Sequence, residues 1–124
     1  MIKSILKIYI VDDDESVRRA LSRLMKSAGY ESETFNSAQD FLDSVPAKTK
    51  GILILDVHMP EMDGLQLQEN LNILGFRMQI IFITAHTQAG ERERAMEAGA
   101  KGFLQKPFSD ESLLNLIRAQ VDWK

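Results

Sequence analysis

Cysteine is absent from this chain of 124 residues. No disulfide can brace the fold and no thiolate can hold a metal, and the absence suits a reducing compartment such as the cytoplasm. Histidine occurs only twice, which leaves little for a zinc site. No apolar run approaches the roughly 18 residues that a membrane-spanning helix needs. The opening stretch, MIKSILKIYIVDDD, breaks into acids before it can form an extended apolar region or a small-residue cleavage site, so neither export nor a membrane partner is expected. Positive charge is not in excess either. The formal net charge of -3 provides no electrostatic footprint for nucleic acid, so any DNA contact would belong to a segment outside this chain.

What is present is ordinary in amount and ordered in arrangement. Apolar residues make up 44% and charged residues 27% of the chain, the balance of a globular domain. The length fits one domain over residues 1–124, able to bury about two thirds of the surface its unfolded chain would expose. No repeat, low-complexity tract or linker divides it.

Four short apolar runs each end on a reactive polar residue: IYIV on Asp12 and Asp13, ILIL on Asp56, IIFI on Thr84 and GFLQ on Lys106. LKIYIV (6–11) reads as a strand, and Tyr30 to Asn36 as a more polar one suited to a sheet edge. ILIL and QIIFIT are apolar at consecutive positions, as strands covered on both faces are. Helical spacing lies between them. Val17, Ala20, Leu21, Leu24, Met25 and Ala28 form one stripe that Gly29 ends. Ser37 caps a second helix around Phe41, Leu42 and Val45, which Pro46 closes. Leu65, Leu67, Leu71, Ile73 and Leu74 mark a third, ended by Gly75. Gly90 to Ala98 offers only Ala95, Met96 and Ala98 as a packing side, so a loosely held first turn is expected there. Ser109 opens a last helix striped by Leu113, Leu114, Leu116, Ile117 and Val121. Strands alternating with helices over short connections predict a parallel sheet covered on both faces.

Parallel strands bring their carboxyl ends to one edge, where open α/β sheets bind ligands. Asp12, Asp13, Asp56, Thr84 and Lys106 would gather there. Aspartates just after a strand also cap the next helix, and that reading competes for Asp12, Asp13 and Asp14. A third carboxylate at the end of another buried strand fits capping less well, because close carboxylates resist joint ionisation unless a cation neutralises them. Mg²⁺ suits an all-oxygen site with one or two carboxylates. A carboxylate can itself attack phosphorus. Asp56 stands alone at the end of the most buried run and is the natural nucleophile, with Asp12 and Asp13 paired for the metal. Lys106 and Thr84 would stabilise phosphoryl oxygens, with Ala85 leaving room beside them.

IVDDDESVRRAL, ILDVHMPEMDG, FITAH and FLQKPF, in this order, resemble the receiver domain of two-component response regulators over nearly the whole chain. Asp13, Asp56, Thr84 and Lys106 follow one another at 43, 28 and 22 residues, each about a strand, a helix and a strand. The resemblance implies a flavodoxin-like three-layer α/β sandwich with a five-stranded parallel sheet, strand order 2-1-3-4-5, and five helices. It implies that Asp56 takes a phosphoryl group from a sensor histidine kinase. Mg²⁺ would be held by Asp12, Asp13, Asp56 and the backbone carbonyl of His58, whose imidazole would then not be a ligand. Pro60 and Gly64 match the turn that follows, Gly64 supplying a conformation that a side chain would hinder. Lys106 would pair with the phosphate across a commonly cis bond to Pro107. Thr84 and Phe103 match the switch pair, although Phe103 also reads as a plain core aromatic and Phe108 as packing. The imidazoles of His58 and His86 would flank the attacking water, or else be solvated loop residues.

On this resemblance the protein is a signalling switch that catalyses only its own phosphoryl transfer and dephosphorylation. The last two strand-helix units would change surface and could form a homodimer. FNSAQDFL, FITAH and FLQKPF are similar to receivers that carry a helix-turn-helix output, which implies transcriptional control through a segment not in this chain. RAQVDWK falls where the last helix should run out, so a domain cut from a longer regulator is expected. Two rivals remain: a degenerate receiver acting as a phosphorylation-independent interaction module, and a phosphatase or phosphotransferase of the aspartyl-phosphate type, which would need a cap domain for which no segment is evident.

Overall fold

The computed structural model describes residues 7–121. Strands β1 (Ile8–Val11), β2 (Ser32–Phe35), β3 (Ile52–Asp56), β4 (Gln79–Thr84) and β5 (Gly102–Gln105) alternate with helices α1 (Glu15–Ser27), α2 (Ala38–Ser44), α3 (Gly64–Leu74), α4 (Glu91–Glu97) and α5 (Asp110–Val121). The sheet is parallel throughout, in the order β2-β1-β3-β4-β5. The expected architecture is therefore the observed one, with the more polar β2 on an edge.

Alternation along the strands sorts side chains to two faces. Ile8, Ile10, Ile52, Ile54, Ile81 and Ile83 face Leu21 and Met25 of α1 and Leu113, Leu114 and Ile117 of α5. Tyr9, Val11, Leu53, Leu55, Ile80, Phe82 and Phe103 face Ala38 and Phe41 of α2, Leu65, Leu67 and Leu71 of α3, and Ala95 of α4. Every residue of β3 is buried. Each such Leu or Ile contributes roughly 1.5–3 kcal/mol by leaving water, which makes the centre of the sheet its stiffest part.

Helix ends follow the local chemistry. Ser37 accepts the Asp40 N–H at 3.0 Å, and the Ser109 hydroxyl accepts the Ser112 N–H at 3.0 Å. Gly75 closes α3 in the left-handed conformation, φ 85°, where a side chain would be strained.

Leu6, read as the start of the first strand, lies outside the described residues. Other expectations are corrected: the second strand, expected over Tyr30 to Asn36, spans only Ser32–Phe35. Ala20 and Ala28 are exposed, because the buried stripe of α1 is narrow and centres on Leu21 and Met25. Ile73 is 81% exposed and Leu74 55%; at about 100° per residue Ile73 stands opposite the buried Gly64, Gln68 and Leu71, and Leu74 lies at the margin of that face. Met96 is 38% exposed, leaving Ala95 as the buried residue of α4.

Candidate functional site

Register builds the site. Val11 of β1 lies beside Leu55 of β3, so the residues that follow, Asp12 and Asp56, emerge as neighbours. Asp56 in turn pairs with Ile83, one residue before Thr84. The Lys106 N–H donates to the Thr84 carbonyl at 2.7 Å, which brings the residue after β5 to the same edge. All five strand-end side chains are thus gathered where parallel topology predicts.

The three aspartates after β1 divide their work. Asp14 is the helix cap: its Oδ1 accepts the Ser16 hydroxyl at 2.7 Å and the Ser16 N–H at 2.9 Å, and these bonds, the hydroxyl's first, hold its carboxyl below the ordinary range. Asp12 is fully buried and accepts the Asp14 N–H at 2.9 Å. Asp13 is exposed, yet carboxylate oxygens of Asp12, Asp13 and Asp56 all lie within 4.8 Å of one another. Capping and clustering are both real; they fall to different residues.

At that separation, two unit charges in surroundings of effective dielectric constant near 20 repel by roughly 3–4 kcal/mol. Burial pushes the Asp56 carboxyl up to about 6, helped by the charge of Asp12 and opposed by Lys106 and the His58 N–H. Burial likewise raises Asp12, against the Asp14 N–H and Lys106. One ammonium does not relieve three carboxylates: Lys106 Nζ reaches Asp12 Oδ2 only at 3.5 Å. A hard divalent cation fits the imbalance, and the donor set of oxygens is that of Mg²⁺.

Thr84 is buried at the edge, but its hydroxyl donates to the His86 carbonyl at 2.6 Å, so it is engaged with its own loop. Phe103 is 8% exposed, its ring centre 6.0 Å from that of Phe82, with the Arg92 guanidinium 5.9 Å over it. The core-aromatic reading of Phe103 thus describes its packing here. Phe108 packs against the α1/α5 side of the core. Lys106 and Pro107 are joined by a cis bond. Gly64 is needed for space rather than for a special conformation: a Cβ there would collide with the Asp56 carbonyl oxygen, which the α3 N-terminus approaches directly.

Two features had weak signals in the sequence. Asp63 and Gln66 form a reciprocal capping box at the start of α3, legible in the D-x-x-Q spacing. His58 and His86 stack, ring centres 4.9 Å apart at 9°, and His58 Nε2 lies 3.2 Å from Glu91 Oε1 at the start of α4. Nothing local marks Glu91 as a neighbour of the site; only the return of the chain brings it there.

Comparison with known proteins agrees with this geometry. The family model described as the response regulator receiver domain matches residues 8–118. The chain is 49% identical over 114 residues to the response regulator protein TodT of Pseudomonas putida F1, covering 92% of this chain and 50% of that protein. To the transcriptional regulatory protein FixJ of Azorhizobium caulinodans it is 36% identical over 116 residues, covering 94% and 55%. The structure of the response regulator StyR superposes with a TM-score of 0.89 at 43% identity, covering 96% of this chain and 60% of that one. FixJ-N superposes at 0.88 and 33% identity, covering 98% and 97%. The chain spans about half the length of the curated relatives it matches.

Proposed function

As this chain belongs to the response regulator receiver domain family and is a receiver of two-component signalling, we propose that Asp56 is its phosphoacceptor and that the acceptor's charge is read out through Thr84, Phe103 and the α4–β5–α5 side. The observation that supports it is the gathering of three carboxylates and one ammonium at the ends of β1, β3 and β5. An Asp56 carboxylate oxygen attacks the phosphorus of a phosphohistidine on a sensor histidine kinase. The P–O bond forms as the P–N bond breaks, and the leaving imidazole takes a proton.

Asp12, Asp13, Asp56 and the His58 backbone carbonyl would hold Mg²⁺, which when bound neutralises the carboxylates and offsets charge on the phosphoryl oxygens. Lys106, already tied to Asp12, pairs with the phosphoryl group in its new position. Thr84 exchanges the His86 carbonyl for a phosphoryl oxygen, which frees the β4–α4 loop. Catalysis stays confined to the protein's own phosphorylation and its hydrolysis. Among the described residues no helix is long and apolar enough to cross a membrane, and the cytoplasm is the proposed location. The relatives' names point to a transcriptional output, which we assign to a segment not in this chain, with homodimerisation through the α4–β5–α5 side as a route to it.

Acetyl phosphate with Mg²⁺ tests the core of the reading by intact mass. A gain of one phosphoryl group is expected, absent in Asp56→Asn. No gain, or a gain that survives the substitution, would refute it.

A further inference from the structure

A helix of seven residues such as α4 is too short to stand alone in water. Its apolar anchorage is slight, since Ala95 is its buried residue and one methyl contributes far less than a Leu or Ile would. Its N-terminus lacks a side-chain cap. Polar contacts from α3 take up the task. Gln68 Nε2 donates to the Ala95 carbonyl at 3.0 Å, Arg94 Nη2 to Glu69 Oε2 at 3.1 Å, and Asn72 Nδ2 to the Ala98 carbonyl at 3.2 Å.

Gln68 is the informative member. It is 2% exposed, a polar side chain among the buried Leu65, Leu67 and Leu71 of α3. Burying an amide carries a desolvation cost. The Ala95 carbonyl does not need it, because the Ala100 N–H already donates there at 3.1 Å. What the amide supplies is direction: with Asn72 one turn further along, it sets where α4 lies against α3. The first turn of α4 is tied to the site as well, Arg92 Nη1 donating to the carbonyl of Phe103 at 3.2 Å and Glu91 lying against His58.

We propose that Gln68 and Asn72 are positioning residues of the switch: their amides hold α4 in the arrangement seen here, with the Thr84 hydroxyl on the His86 carbonyl, and let go when Asp56 is loaded. This rests on the phosphoacceptor reading above. Contacts made in one of two states oppose a ligand that favours the other, so removing them tightens that ligand.

Beryllofluoride with Mg²⁺, a non-covalent stand-in for the phosphoryl group, provides the measurement on the intact chain. Gln68→Met and Asn72→Ala should each tighten its binding about fivefold, the usual net worth of one hydrogen bond. Backbone amides of residues 91–98 should also exchange faster with solvent before ligand is added. Asn72 is exposed, so its variant decides the matter even if methionine at position 68 disturbs packing. Simple loss of structure would weaken binding, the opposite sign. Unchanged or weaker binding by Asn72→Ala overturns the proposal while leaving the phosphoacceptor reading intact. Failure of the unaltered protein to bind beryllofluoride overturns that reading, and the proposal with it.

Discussion

The centre of the sheet and its α4 flank are held by different forces. β3 is buried along its whole length between two layers of helices, and it ends on Asp56. α4 buries one alanine and is attached by amides, an ion pair and an arginine. Close-packed apolar side chains tolerate little displacement, so the centre can keep carboxylates at a separation where they repel. Polar tethers are individually weak in net terms and can be exchanged for water. On the proposed reading, a change of charge at Asp56 would find its response in the flank, where a shift costs least.

The sharpest way to break this contrast is to compare equal truncations. Leu53→Ala, in the middle of β3, should cost about 2–5 kcal/mol in urea denaturation. Met96→Ala on α4 should cost less than about 0.5 kcal/mol. Similar losses would mean that the flank is packed as firmly as the centre.

A smaller effect concerns the charge stored at the centre. The folded-state pKa of Asp56, pushed up to about 6, lies above its ordinary 3.8, so the folded protein binds this proton more tightly than the unfolded chain does. Without metal the ionised group is destabilising above pH 6, and that cost is relieved as pH falls through 6 toward 4. At pH 7.5 with a chelator, Asp56→Asn should be more stable than the unaltered protein by on the order of 1–2 kcal/mol. The gap should narrow at pH 5. Urea titrations at the two pH values check it, and a gap that is constant or reversed would deny the stored repulsion.

The smallest effect belongs to the flank. Arg94 and Glu69 form an exposed pair at 3.1 Å, worth no more than about 1 kcal/mol. Arg94→Ala should shift thermal unfolding barely at all. A larger loss would show that charge, rather than the Gln68 and Asn72 amides, anchors α4.

Much of this was legible from the residues. ILIL and QIIFIT announced central strands because a strand covered on both faces must be apolar at every position, and their terminal Asp56 and Thr84 do lie at the shared edge. The aspartate run was only half legible: composition could not tell that Asp14 caps α1 while Asp12 turns into the cluster, since both roles suit the same side chain. Ile73, Leu74 and Met96 misled because apolar character does not by itself make a packing stripe: at about 100° per residue Ile73 stands opposite Leu71, Leu74 lies at the margin of the buried face, and Met96 lies well round from Ala95. Gln68 and Glu91 gave no signal at all; a glutamine and a glutamate on helices look like solvent-facing residues until another helix covers the first and a loop meets the second.

Residue order alone sets the alternation of five strands and five helices and the identity of the groups at the strand ends, because periodicity and capping act over a few residues. Tertiary structure decides what those groups can do. Strand register brings the three carboxylates within 4.8 Å, burial raises Asp56, and the loop after β4 takes the Thr84 hydroxyl. The first two depend on atoms tens of residues apart in the chain, whose separation is set by how the layers pack, while the third is a contact two residues long within the loop itself.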